Sequence, residues 1–212
     1  MRKLGTVAGV VFAGLALWGC GEGDIDSKAE AAAASNTIIE VQKDGVIVET
    51  IAEDFTADYY NEDELRNMVL SEVAEFNKNS EQDISVDKFE NKDGIIKIVM
   101  KYPSAEAYTD YNSSEFDNKQ LFCGTVKEAY DEGYSLDVTL QSAGNEEESI
   151  GKDELLGMGE KHILISNVPF RVQTFGKILY LGDNVISLEK NKADMETDEN
   201  GDSLGKYYIV FK

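Results

Sequence analysis

Cysteine and histidine are the scarce reactive residues of this chain, and they offer a single combination for nucleophilic chemistry. The chain has one histidine, His162, and two cysteines, Cys20 and Cys123. A cysteine or serine nucleophile is activated by a base that takes its proton, so any Cys–His or Ser–His–Asp site would have to use His162. Cys123 with His162 is the only possible Cys–His pair. Cys123, however, stands in the apolar run Leu121 to Gly124, where a small buried residue is typical. Gly-x-Ser-x-Gly spacing occurs at Gly201 to Gly205, but there it precedes a predicted strand rather than the helix that follows a nucleophile elbow. We predict no catalytic residue of these types.

Metal binding is restricted by the same scarcity, because zinc sites need several histidine or cysteine ligands. Carboxylate oxygens suit calcium, and one acidic segment has oxygen-bearing side chains at alternate positions: Asp198, Asn200 and Asp202. A helical calcium loop also needs Gly at its sixth position and Glu at its twelfth, where this chain has Ser203 and Ile209. The alternative to a calcium site is a polar hairpin turn around Asn200-Gly201. No glycine-rich phosphate motif is found, so we predict no cofactor.

The segment Tyr102 to Tyr111 is the best candidate for a ligand-binding surface, because it concentrates aromatic rings beside acidic groups. Its tyrosines are Tyr102, Tyr108 and Tyr111. Such rings can hold sugars or cations, and Tyr108 and Tyr111 would share one face of a helix. The alternative is that these rings pack that helix against a sheet. The paired carboxylates of a glycoside hydrolase cannot be selected from 41 acidic residues, because separation in space defines that mechanism.

The N-terminal segment has the organisation of a secretory signal. Two basic residues precede an uncharged, mostly apolar run from Leu4 to Gly19. This run is short for a membrane-spanning helix of about 20 apolar residues and is typical of a signal peptide. The ending Leu17-Trp18-Gly19-Cys20 resembles the lipobox of bacterial lipoproteins, although Trp18 stands where a small residue is usual. The resemblance implies cleavage before Cys20 and a lipid anchor of acyl chains, such as palmitate, attached to that cysteine.

Composition divides the rest of the chain into a tether and an acidic domain. Residues 21–35 are small or charged apart from Ile25, which indicates a flexible spacer. We therefore predict a signal peptide (1–19), a lipidated cysteine with its tether (20–35) and one α+β domain (36–212), with 141–152 as the place where any subdivision would fall. The chain has 41 acidic and 20 basic residues, a formal net charge of −21. Because such a surface repels phosphate backbones, nucleic acid is not predicted as a partner.

The first half of this domain has the pattern of two β-hairpins around a helix. Asp44-Gly45 and Asp93-Gly94 separate β-branched runs within residues 37–51 and 84–102, and Asp-Gly between such runs is a strong hairpin signal. Between the hairpins, Asn61 can cap a helix that extends to about Asn77. Its spacing predicts one apolar face: Leu65, Met68, Val69, Val73 and Phe76. A short helix capped by Ser104 follows, ending at Tyr111.

The second half is richer in predicted strands. Thr125 and Glu128 form a capping box that opens a helical turn ended by Gly133, and 152–158 predicts another turn. Residues 142–149 and 194–203 have the composition of exposed acidic loops. Strands are predicted at 121–124, 136–140, 162–166, 170–174, 177–181, 185–190 and 206–211. Because most connections are too short for parallel crossovers, the fold class is α+β, with an antiparallel sheet of hairpins packed on one main helix and a β-rich meander in the C-terminal third.

Residues 37–212 resemble uncharacterised lipoproteins of Gram-positive gut bacteria. The similarity lies in the hairpin–acidic helix–hairpin opening and in Gly-Lys-Ile-Leu-Tyr at 176–180. It implies a location outside the cytoplasm and no particular activity. We expect a membrane-anchored lipoprotein, at the cell surface or in the periplasm, whose domain binds a small ligand or an envelope protein. The alternatives are a hydrolase that uses acidic residues and a structural subunit of an envelope complex.

Overall fold

A computed structural model describes residues 37–113 and 119–212. The signal peptide, Cys20 and the tether lie outside the described residues. The helices are α1 Glu62–Asn79, α2 Ala105–Asn112, α3 Val126–Asp131 and α4 Lys152–Leu156. None of these helices is long and apolar enough to cross a membrane.

Thirteen strands make up the rest of the regular structure. The first seven strands are β1 Thr37–Val41, β2 Ile47–Asp54, β3 Ser85–Lys92, β4 Ile95–Tyr102, β5 Leu121–Thr125, β6 Leu140–Ser142 and β7 Asn145–Ile150. The other six are β8 His162–Ser166, β9 Arg171–Gln173, β10 Ile178–Leu181, β11 Val185–Glu189, β12 Lys192–Met195 and β13 Tyr207–Phe211.

The strands form two sheets that are mainly antiparallel. The seven-stranded sheet has the order β11-β12-β9-β1-β2-β4-β3, and the six-stranded sheet has the order β5-β8-β13-β10-β6-β7. Their one parallel pair among the described strands is β1 with β9. The fold is therefore α+β with a strand-rich C-terminal third, as the sequence predicts, and the strands of that third are shared between the two sheets.

Two hydrophobic clusters fill the structure, one on each face of the six-stranded sheet. The first joins this sheet to the seven-stranded sheet, α1 and α2, and the second lies beneath α3 and α4. Strand β13 contributes to both: Tyr207, Ile209 and Phe211 belong to the first, and Tyr208 and Val210 to the second. Burial on both faces explains why β13 has a continuous apolar sequence rather than an alternating one.

The predicted helix starts and turns are confirmed where they depend on local geometry. The Asn61 side chain accepts the N–H of Glu64 at 3.2 Å at the start of α1. Thr125 and Glu128 form the capping box of α3. Gly45 has a φ of +87°, which its hairpin turn requires.

Three local predictions are wrong. Residues 142–149 are not a loop, because β6 and β7 form a hairpin there and leave the glutamates on an outer strand. Residues 136–139 are not a strand. The Leu136 side chain is buried, and just before it the backbone carbonyl of Ser135 accepts a hydrogen bond from the Tyr208 hydroxyl. On α1, Met68 is 40% exposed, so the buried face comprises Leu65, Val69 and Val73.

Candidate functional site

The three tyrosines of the candidate binding segment lie together where β4, α1 and α2 meet. The ring centroids of Tyr102 and Tyr108 are 5.2 Å apart, and those of Tyr102 and Tyr111 are 6.0 Å apart. Phe76 of α1 meets Tyr111 edge-on at 5.4 Å. Tyr102 and Tyr108 are buried, whereas Tyr111 is partly exposed. The structure thus brings the predicted residues together but turns two of the three rings into the core, where they pack α2 against the sheet.

A buried carboxyl group, Glu49 of β2, completes this cluster. Only 5% of Glu49 is exposed, and the Tyr102 hydroxyl donates to its Oε2 at 2.6 Å. The Asn112 amide in turn donates to the Tyr102 hydroxyl at 3.4 Å. Sequence analysis missed Glu49, although a signal was present. Because side chains alternate along a strand, Glu49 shares a face with Ile47 and Ile51.

Burial sets the electrostatics of the cluster. It raises the pKa of Glu49, because the ionised carboxylate loses its hydration; the Tyr102 hydrogen bond and then the Lys119 ammonium lower it. Burial, followed by the negative charges of Glu72 and Glu49, raises the pKa of Tyr111 to about 12. Burial also raises the pKa of Glu72 on α1. Two carboxyl groups with raised pKa values therefore act on Tyr111, and a raised pKa brings a carboxyl group nearer to the value at which it can donate a proton at neutral pH.

Cys123 and His162 lie on neighbouring strands but do not form an activated pair. Cys123 is two residues before Thr125, which lies opposite His162 in the β5–β8 ladder. The His162 ring stacks on Phe211 with centroids 5.4 Å apart. Burial, with a smaller contribution from Glu128, raises the pKa of the Cys123 thiol to about 12. A thiol with this pKa stays protonated at neutral pH, so it does not supply the thiolate that a cysteine nucleophile requires.

The calcium candidate Asp198, Asn200 and Asp202 forms a tight turn. Asp198 Oδ1 accepts the backbone N–H groups of both Asn200 and Asp202 at 2.8 Å, and Gly201 has a φ of +85°. The hydrogen bonds from Asp202 and then Asn200 lower the pKa of Asp198. One oxygen of Asp198 is therefore occupied by the backbone, as in the hairpin-turn alternative. Within residues 37–113 and 119–212, no three His, Cys, Asp or Glu side chains are grouped as a metal site.

Three of the four outer strands of the sheets are protected against pairing with another chain. Strand β3 has a bulge and a Lys88–Glu90 ion pair, and β7 exposes charged side chains such as Glu147. Strand β5 is covered by α2, where the Thr109 hydroxyl accepts the N–H of Leu121 at 3.0 Å and donates to its carbonyl at 3.2 Å. Charges, bulges and covering elements are the usual protection of outer strands.

The fourth outer strand, β11, lacks charge over residues 185–188. Ile186 and Leu188 are 47% and 46% exposed. The N–H of Glu196 donates to the Asn184 carbonyl at 3.0 Å at the start of the β11–β12 pair. Because the hydrogen-bonding direction alternates along an antiparallel strand, the N–H and C=O of Ser187 point away from β12, just before the bulge of this strand. Over residues 185–188, strand β11 therefore presents an open edge without charge, and its bulge and the Glu189–Lys192 ion pair lie only at its end.

No protein-family model matches this chain, and comparisons with curated proteins and with solved structures find no match. The resemblance to bacterial lipoproteins therefore remains a prediction.

Proposed function

We propose that this chain is a lipoprotein anchored to the cell membrane through Cys20 and facing outside the cytoplasm, at the cell surface or in the periplasm, and that its folded part is a protein-binding module. The signal-like N-terminal segment and its Leu17-Trp18-Gly19-Cys20 ending support the anchor. The open edge of β11 is the observation that carries the binding function, because exposed strand edges bind extended segments by strand addition.

The partner proposed for β11 is an extended, basic segment of an envelope protein. Its main chain pairs with Ser187, and its apolar side chains cover Ile186 and Leu188 from the side. Asp183 and Glu196 stand at the start of β11, in a chain whose net charge is −21. Charge complementarity speeds association and selects partners, so basic residues are expected beside the apolar ones in this segment.

Ser187 allows a matched test of strand addition. Ser187→Pro removes the outward N–H donor but no hydrogen bond to β12, whereas Ser187→Ala keeps the donor. A photo-crosslinking residue replaces Ile186 in both variants, and crosslinking is carried out in membranes of the producing bacterium. We expect one protein to be crosslinked to the Ala variant and not to the Pro variant. Equal labelling from Glu132, an exposed residue after α3, or undiminished labelling in the Pro variant, contradicts the proposal. If this chain instead co-purifies with one neighbouring protein in a constant ratio, it is a structural subunit of an envelope complex.

The anchor has its own matched pair of variants. We expect Cys20→Ser to remove labelled palmitate and to move the protein from the membrane fraction to the soluble fraction. Cys123→Ser should change neither, because that thiol is buried in the domain. Lipid labelling that survives in the Cys20→Ser variant would show that the anchor is elsewhere or absent.

A hydrolase is the second candidate function, and Glu72 is the observation that favours it. Glu72 is a partly exposed carboxyl group with a raised pKa beside the partly exposed Tyr111, and a general acid needs such a shift. Glu49 is too deeply buried to contact a substrate. If the chain hydrolyses glycosides, Glu72→Gln should strongly reduce turnover, while Glu75→Gln on the exposed side of α1 should leave it unchanged. Turnover that is insensitive to Glu72 excludes it as the catalytic acid.

A further inference from the structure

A depression on the six-stranded sheet combines two lysines with apolar walls. It has a volume of about 220 Å³ and lies where β6 and β10 meet the segment that follows α4. Lining side chains include Ser142, Met158, Lys161, Lys177, Leu179 and Tyr180. At roughly 30 Å³ per water molecule, this space corresponds to about seven waters. It therefore has room for a small organic molecule.

The charge of this depression is opposite to that of the chain. Acidic residues outnumber basic ones by 41 to 20, yet the lining contains Lys161 and Lys177 and no acidic residue. Neither lysine forms an ion pair with a described residue, whereas Lys88, Lys127 and Lys192 are each paired with a carboxylate. Both ammonium groups can therefore donate hydrogen bonds to an anion that enters the depression.

The backbone shapes the apolar side of the depression. The pairing of β10 with β13 shifts register between Ile178 and Tyr180, so Leu179 is an extra residue in the strand. Its carbonyl accepts the N–H of Ala143 at 2.8 Å, which ties it to the β6–β7 turn. Bulges of this kind redirect side chains and are frequent beside binding sites. Leu179 and Met158 line the same depression as the two lysines and supply its apolar surface.

We propose that this depression binds a small organic anion, with its carboxylate or phosphate between Lys161 and Lys177 and its apolar part against Met158 and Leu179. Ammonium groups provide the donors for either anion, and the thioether and aliphatic side chains provide the apolar contact. The site lies on the other sheet from β11, so it does not depend on the protein-binding function. Ser187→Pro is therefore expected to leave the affinity for the anion unchanged.

The test uses the purified full chain and four probes of similar size: benzoate, phenyl phosphate, benzyl alcohol and benzylamine. Binding is measured by titration calorimetry and by chemical-shift changes in NMR spectra. We expect at least one of the two anions to bind, with shifts at the lining residues, and the neutral and cationic probes not to bind. A preference for benzoate identifies a carboxylate ligand, and a preference for phenyl phosphate identifies a phosphate monoester. Equal binding of benzyl alcohol, or no anion binding at about 10 mM, overturns the proposal.

Lysine variants show whether the binding is local. Lys161→Gln and Lys177→Gln should each weaken the preferred anion by about tenfold or more, because each removes a hydrogen bond between charged groups. Lys152→Gln, an exposed lysine on α4 outside the lining, should leave the affinity unchanged. Equal losses in all three variants would mean that the anion responds to net charge alone, which contradicts a site. Inorganic phosphate that binds as tightly as phenyl phosphate refutes the role of the apolar wall.

Discussion

The buried pair Glu49–Tyr102 makes stability depend on pH in a direction that the structure defines. Burial raises the folded-state pKa of Glu49 above its unfolded value. The stability contributed by the neutral acid is therefore complete below the unfolded pKa, about 4.3, and is lost as the pH rises through the folded pKa. Between these two values the wild type should lose about 1.4 kcal/mol per pH unit from this group, because the folded state holds a proton that the unfolded state has released.

Glu49→Gln removes this titration while keeping the size of the side chain and an acceptor for the Tyr102 hydroxyl. The stability of the variant relative to the wild type should therefore increase by about 1.4 kcal/mol per pH unit above about pH 4.3, until Glu49 ionises in the folded protein. Tyr111, which the Glu49 charge affects, has a pKa of about 12 and titrates well above this range, so the titrations of the remaining groups largely cancel in the difference. Urea unfolding followed by circular dichroism at several pH values measures it.

Tyr102→Phe, alone and combined with Glu49→Gln, completes a double-mutant cycle for this hydrogen bond. The lost hydrogen bond, 2.6 Å long, should cost about 1 kcal/mol while Glu49 is neutral and about 1.5–3 kcal/mol once it is charged. In the Glu49→Gln background the cost should no longer depend on pH. Tyr208→Phe is the matched control, because that hydroxyl donates at 3.0 Å to the Ser135 carbonyl, which does not titrate. If Tyr102→Phe and Tyr208→Phe show the same pH dependence, or the Gln variant gains nothing with pH, the electrostatic account of Glu49 is refuted.

Three further predictions concern the thiol, one glycine and the acidic turn. In a Cys20→Ser variant, Cys123 should resist thiol reagents at about pH 8, since a pKa of about 12 keeps it protonated, and should react once the chain is unfolded. Gly176→Ala should destabilise by about 1–3 kcal/mol, because its Cβ would overlap the backbone carbonyl after β13, whereas Gly144→Ala, with open space around it, should be nearly neutral by urea unfolding. Asp198→Ala should lower the unfolding midpoint by removing two backbone hydrogen bonds; a calcium-dependent rise of the wild-type midpoint would contradict the turn interpretation.

Features that depend on a few neighbouring residues could be predicted from the sequence. The Asn61 cap and the Thr125–Glu128 capping box each involve groups within one helical turn. The Asp93-Gly94 turn needs positive φ at both residues, and they have φ values of +55° and +80°. Local chemistry determines such features, because the hydrogen bonds and backbone angles that they require are all close in sequence.

Features that depend on distant residues could not be predicted in this way. The parallel pairing of β1 with β9 joins Ile39 to Val172, and neither segment carries a local mark of its partner. The glutamates of β7 have a loop-like composition, yet pairing with β6 makes them part of an outer strand. The tyrosines could be selected by composition, but their burial depends on α2 lying against both β4 and β5. No local sequence pattern connects Lys161 with Lys177, since both line one depression only because the segment after α4 lies beside β10.

Ionic strength separates the two electrostatic influences on the proposed anion site. The net charge of −21 repels an approaching anion at long range, whereas Lys161 and Lys177 attract it inside the depression. At about 0.15 M salt the Debye length is about 8 Å, so the distant repulsion is largely screened while the contacts within the depression are screened less. Added salt should therefore speed association of the anion and, more weakly, speed its dissociation. An association rate that falls with salt would mean that the two lysines dominate the field even outside the depression, and that the acidic surface lies too far away to oppose them.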